Sequence, residues 1–270
     1  MPVLIGTSGW QYRDWRGSFY SAGLPQARWL EHHASRFRTL EVNNAFYRLP
    51  EAKTFSQWAE RTPADYVVAV KASRYLTHVK RLEDPAEPVR RFAERATHLG
   101  AKLGPVLLQL PPNLPLNLSA LEDTLSRFPT GWRVTVELRH PSWFVDATYD
   151  LLGRLGAALC LADSPGRRTP VVRTAPWGYV RFHEGRARPH PCYGERALST
   201  WAETIASMWP PAADVFAFFN NDSRACAVRD AHVFALACRR AGLDPTRTPL
   251  PHEVEVVGAT AADPPAASRT

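Results

Sequence analysis

Eight short runs rich in β-branched and aromatic residues, each followed by a longer connecting segment, limit this chain to very few folds. The runs are 3–7 (VLIGT), 38–43 (RTLEVN), 66–71 (YVVAVK), 105–110 (PVLLQL), 133–139 (RVTVELR), 157–162 (AALCLA), 178–183 (GYVRFH) and 214–220 (DVFAFFN). Amphipathic helical patterns are expected over 25–36, 52–62, 86–101, 118–128, 143–155, 195–209 and 224–241. Strands that alternate with helices pair in parallel. Eight such repeats in 270 residues match an α/β protein of the TIM type, a (β/α)8 barrel. A doubly wound sheet is the competing architecture, but no GxGxxG fingerprint follows the first run. The 163–177 connection, DSPGRRTPVVRTAPW, is too broken by proline for a helix, so one irregular crossover is expected between strands 6 and 7. Ser119 with Glu122 three residues on reads as a capping box, and Gly100, Gly156 and Gly242 stand where left-handed C-caps belong. One barrel domain is expected over 1–257, with a disordered tail at 258–270, GATAADPPAASRT.

Alternation within the runs then says where side chains point. In a barrel one face of each strand packs under the helices and the other faces the interior. Leu40, Val42, Val68, Val70, Val134, Val136, Leu138, Val180 and Phe182 take the helix side. That leaves Glu41, Asn43, Lys71, Gln109, Glu137, Arg139, Arg181 and His183 inside, near the C-terminal strand ends. Asp163 closes the sixth run, and Asn220-Asn221-Asp222 closes the eighth with a parity that alternation does not resolve. Polar endings on nearly every strand at the same end describe a functional rim, because active sites of this fold lie there.

Composition adds limits. Net charge is +7 with a pI near 9.5, carried mostly by arginine, since lysine occurs only at 53, 71, 80 and 102. This balance favours anionic partners, although the basic clusters are only pairs and a solvated surface explains them as well. Cys160, Cys192, Cys226 and Cys238 form no CxxC pair, which reads as reduced structural thiols in a cytoplasmic protein. The N-terminus MPVLIGTSGW lacks a basic and then apolar leader pattern, and no apolar stretch approaches a membrane span. His32-His33 and His190 are expected at the surface.

The motifs IGTSGWQYRDWRGSFY (5–20), LEVNNAFYRLP (40–50), AVKASRYLTH (69–78), LLQLPPNL (107–114), VELRHPSW (136–143), YVRFH (179–183) and FFNND (218–222) occur in order over about residues 3–240. Together they resemble the domain of unknown function 72 family, also called YecE-like. The resemblance implies a TIM barrel, in agreement with the strand count. It implies no reaction, since the family's own name leaves its activity open.

Residue chemistry offers roles. Glu41 or Glu137 could act as general base and His183 as acid or base near neutral pH. Lys71 could be a Schiff-base nucleophile, with an ion pair to Glu41 as its structural alternative. Arg139 and Arg181 suit bidentate binding of phosphate or carboxylate. Asn43, Gln109, Asp163, Asn220, Trp10, Tyr12 and Tyr47 complete the expected substrate wall. A divalent metal is disfavoured, because three cations share the rim and no HxH, HExxH or Cys/His cluster appears; no required cofactor is evident. The leading expectation is an enzyme, a hydrolase or lyase, acting on a small anionic or phosphate-bearing substrate by general acid–base chemistry. The alternatives are a nucleic-acid-processing or damaged-base-binding protein and a non-catalytic ligand-binding protein. The oligomeric state is not legible.

Overall fold

The computed structural model describes residues 1–258. Eight parallel strands form the barrel: β1 (Pro2–Thr7), β2 (Thr39–Val42), β3 (Val67–Lys71), β4 (Leu103–Gln109), β5 (Val134–Glu137), β6 (Ala158–Asp163), β7 (Gly178–Phe182) and β8 (Val215–Phe219). Each pairs with the next, and β1 pairs with both β8 and β2, so the sheet closes on itself. A two-residue strand, β9 (Asp244–Pro245), adds to the start of β1. Closure brings β1 against β2 tightly. A Cβ at Gly6 would meet the Thr39 carbonyl oxygen at 2.3 Å, so only glycine fits this seam.

The outer helices are α1 (Trp29–Arg36), the short α2 (Asn44–Tyr47), α3 (Ala52–Glu60), α4 (Ala86–Ala96), α5 (Leu118–Ser126), α6 (Asp146–Arg154), α7 (Glu195–Met208) and α8 (Cys226–Arg240). No helix lies between β6 and β7, as the proline-broken connection requires. Asn117 rather than Ser119 caps α5, accepting from the Ala120 amide at 3.0 Å, so the capping signal lay two residues too late. Gly156 and Gly242 carry positive φ after α6 and α8, as C-caps do. Of the expected disordered tail, 258–270, all but Gly258 lies outside the described residues.

Strand parity divides the core into two apolar clusters. Val3, Ile5, Leu40, Val42, Val68, Val70, Leu108, Val136, Leu161 and Phe182 belong to the layer under the helices. Leu4, Ala69, Leu107, Cys160, Tyr179, Phe216 and Phe218 fill the barrel interior. Interior side chains are apolar at the N-terminal end and polar at the C-terminal end. Burial of the lower layers stabilises the barrel, and the polar layer above them stands on a rigid floor.

Two further expectations, on a histidine and on the cysteines, fail in the fold. His33 is fully buried, hydrogen-bonded to Thr7 Oγ1 and Tyr66 Oη at 2.9 Å each, because α1 turns it inward toward the barrel wall. Cys192 and Cys226 form a disulfide that ties the loop after β7 to the start of α8, which overturns the reading of four reduced thiols. Thirty-four residues separate them, and only the fold brings the two segments together. Cys160 and Cys238 are free and buried.

Candidate active site at the barrel mouth

The polar layer is organised by Arg181 on β7. Its guanidinium donates to Glu41 Oε1 at 2.7 Å and to Glu137 Oε2 at 2.6 Å, and reaches Asn220 Oδ1 at 3.2 Å. The second oxygen of Glu41 accepts from the Tyr179 hydroxyl at 2.6 Å. Glu137 also accepts from Arg139 Nε at 2.8 Å and from Gln109 Nε2 at 3.0 Å to each oxygen. His183 Nε2 lies 3.4 Å from Glu137 Oε1. Glu41, Glu137 and Arg181 are each at most 1% exposed.

Such burial would push the Glu137 carboxyl up; Arg181, His183 and Arg139 outweigh it and hold it well below the usual carboxylate range. Burial alone would lower Arg181, whereas Glu41 and Glu137 raise it well above its ordinary value. Glu137 and Arg181 are therefore both charged at neutral pH. Every carboxylate oxygen in the network has a donor, whereas Arg181 Nε is buried without a hydrogen-bond partner among the described residues. Among the described residues no group of three His, Cys, Asp or Glu side chains could hold a metal ion.

Above the network opens a cavity of about 390 Å³ lined by Tyr12, Asn43, Asn44, Tyr47, Lys71, Gln109, Arg139, Arg181, His183, Asn220 and Asp222. The Lys71 ammonium lies 3.8 Å from the centre of the Phe46 ring and, among the described residues, makes no hydrogen bond or ion pair. Burial, and then Arg181, lowers its amine to about 8, although Glu41 and Glu137 pull the other way. Burial followed by Arg181 lowers His183 as well, so its imidazole is neutral at pH 7. Burial raises Asp222 to about 6, with Asp14 adding to the effect.

A profile of the family described as "Protein of unknown function DUF72" matches residues 4–254. The chain belongs to the DUF72 family. UPF0759 protein YecE of Escherichia coli (strain K12) is 29% identical over 143 residues, 53% of this chain and 50% of that protein. The chain therefore spans about half the length of this relative. UPF0759 protein YunF of Bacillus subtilis (strain 168) is 24% identical over 258 residues, 82% of this chain and 89% of that protein. The crystal structure of a DUF72 family protein from Thermotoga maritima superposes with a TM-score of 0.78 at 27% identity, covering 88% of this chain and 100% of the other. The structure of SacUVDE, 8% identical with a TM-score of 0.53, shares the fold alone.

In this DUF72 protein the mouth gathers most of the residues expected from parity: Glu41, Asn43, Lys71, Gln109, Glu137, Arg139, Arg181, His183 and Asn220, with Tyr12 and Tyr47 on the wall. Two expected residues are elsewhere. Asp163 has the helix-side parity of β6; it accepts from Trp201 Nε1 at 2.8 Å and faces a neighbouring cleft. Trp10 is 5% exposed and packs edge-on against Trp58 at 5.7 Å, so it belongs to the core. The expected Lys71–Glu41 ion pair is absent because Arg181 and Tyr179 occupy both Glu41 oxygens.

Sequence reasoning missed Asp222, whose parity resolves only in three dimensions. Asn220 turns to Arg181, Asn221 turns outward to Asp230 at 2.7 Å, and Asp222 returns to the cavity. It also missed Tyr179, one residue in from the rim, where an interior tyrosine reads as packing.

Proposed function

We propose that the mouth is the active centre of an enzyme acting on a small anionic substrate by general acid–base chemistry. One observation carries the reading: Lys71, lowered to about 8, and Asp222, raised to about 6, share one cavity with the neutral His183 imidazole above a network of paired carboxylates. The network's part is to position. Glu137 is too weak a base to act directly, and both terminal nitrogens of Arg181 are already engaged by Glu137 and Glu41. Of the two reaction classes left open by the sequence, neither is singled out: Asp222, raised to about 6 on the same cavity as Lys71, suits the general acid–base step of a hydrolase or of a lyase. Anion attraction comes from the Lys71 ammonium and from Arg139, whose side chain is 19% exposed toward the mouth.

The test is calorimetric titration of small carboxylates and phosphate esters into the wild type and Lys71→Met. Binding weakened roughly tenfold or more by loss of this charge is expected. Equal affinities in the two proteins would break the reading.

A second reading, nucleic-acid processing, has one observation in its favour. Beside the mouth, Arg167, Arg168, Arg186 and Arg196 line a cleft of about 730 Å³ whose Asp163 is engaged by Trp201. Affinity for a DNA or RNA oligonucleotide that falls steeply as salt rises would support it, and no affinity at low salt would remove it.

A further inference from the structure

Two lysine or arginine side chains are buried among the described residues. Arg181 holds two carboxylates, whereas Lys71, 8% exposed, holds none. An unpaired ammonium in that position is costly, and a structural role would be served better by any apolar residue of similar length. Its Nζ rests on the Phe46 face, on the wall of the cavity, and among the described residues it has no hydrogen-bond partner. A lysine acting as a proton relay needs such a neighbour to hand the proton on. A lysine acting as a nucleophile needs an unencumbered lone pair at an apolar wall, which is the arrangement found.

We propose that Lys71 forms an imine with its substrate, and hence that the substrate is a small carbonyl compound bearing an anionic group. This rests on the mouth being the active centre. The Nζ lone pair attacks the carbonyl carbon, and the carbonyl π pair moves to oxygen, which takes a proton to give a carbinolamine. Nζ releases a proton, the hydroxyl takes up a second proton and leaves as water, and the C=N bond forms. No oxidant or reductant is consumed. Asp222 and His183, on the same cavity, are the groups placed to donate and accept these protons. The resulting iminium keeps one positive charge beside Glu41 and Glu137, whose field already favours a cation on this nitrogen. The cavity, about 390 Å³, suits a substrate of metabolite size.

Glyoxylate, a small anionic aldehyde, is the probe. The wild-type protein is treated with glyoxylate and cyanoborohydride at pH 7, and the reduced adducts are mapped by peptide mass spectrometry. With only four lysines in the chain, the mapping is unambiguous. Lys71 is expected to be labelled roughly tenfold or more faster than the exposed Lys53, as its lower amine pKa requires, and with a rate that saturates in glyoxylate. Labelling no faster than Lys53, or rising linearly without saturation, overturns the proposal. Glyoxylate binding that Lys71→Met weakens, with no adduct in the wild type, overturns the imine and leaves the acid–base reading standing. Neither binding nor adduct overturns both. Lys71→Met, checked for folding by circular dichroism, must lose the adduct at this position and keep labelling at Lys53.

Discussion

On one side of the mouth Arg181 is clasped between Glu41 and Glu137; on the other Lys71 lies against a phenyl ring and, among the described residues, pairs with no carboxylate. Both are cations near the C-terminal ends of barrel strands, Lys71 closing β3 and Arg181 one residue before the end of β7, and both are almost wholly buried. The difference lies in what solvent exclusion does to each. For the paired guanidinium, low dielectric strengthens attraction to the carboxylates beside it and holds Arg181 and Glu137 in their charged forms. For the lone amine, the same environment penalises charge and brings its titration to about 8. The first arrangement gives geometry and the second gives reactivity. A rim full of ionisable groups therefore contains fewer reactive ones than its composition suggests.

Breaking the paired side should have the largest effect. Glu137→Gln leaves Arg181 and Arg139 facing an amide that cannot neutralise them, and should destabilise the fold by about 3–5 kcal/mol in urea denaturation. A loss below about 1 kcal/mol would mean that the network is not structural. Next is the bridge that holds the loop after β7, and so the far wall of the mouth. Reducing Cys192–Cys226 should cost about 3–4 kcal/mol for a loop of this length, seen as a lower Tm in reductant. An unchanged Tm would detach that loop from the stability of the barrel.

The lone side should respond in the opposite direction. Lys71 has a lower pKa folded than unfolded, so between about 8 and the usual lysine range the unfolded chain binds more protons, and stability rises with pH through that window. Below it the folded protein carries a penalty of about 3 kcal/mol. Lys71→Met should therefore be more stable than wild type at pH 7, by up to about 3 kcal/mol, and the advantage should vanish near pH 10.5. A variant less stable than wild type at pH 7 would show that the amine is paired after all. The smallest effect belongs to Asp222→Asn. With Asp222 at about 6, wild-type labelling at Lys71 should show an inflection near that pH. The variant should lose it while changing the rate at pH 8 by less than about tenfold. Persistence of the inflection would assign it to His183.

Much of this was written in the chain. The period-two pattern of strands such as 133–139 predicts a buried helix-facing side in Val134, Val136 and Leu138, and an interior side in Glu137 and Arg139. Both are found, since a barrel leaves a strand no third choice of face. Asp163 escaped because a residue closing a strand can take either parity, and β6 runs one residue longer than its apolar pattern. Trp10 escaped because an aromatic residue after a strand serves packing or a pocket equally well in one dimension.

The sequence by itself determined the eight-strand barrel, the end at which its polar groups gather and the family to which it belongs, since these follow from periodicity and ordered motifs. Only the tertiary structure decided which charges neutralise one another. Glu41, Glu137 and Arg181 come from strands separated by as many as 140 positions, and their pairing depends on distances of a few ångströms across the barrel. Whether Lys71 meets a carboxylate or a phenyl ring is that same question of distance, and it separates a structural charge from a reactive amine.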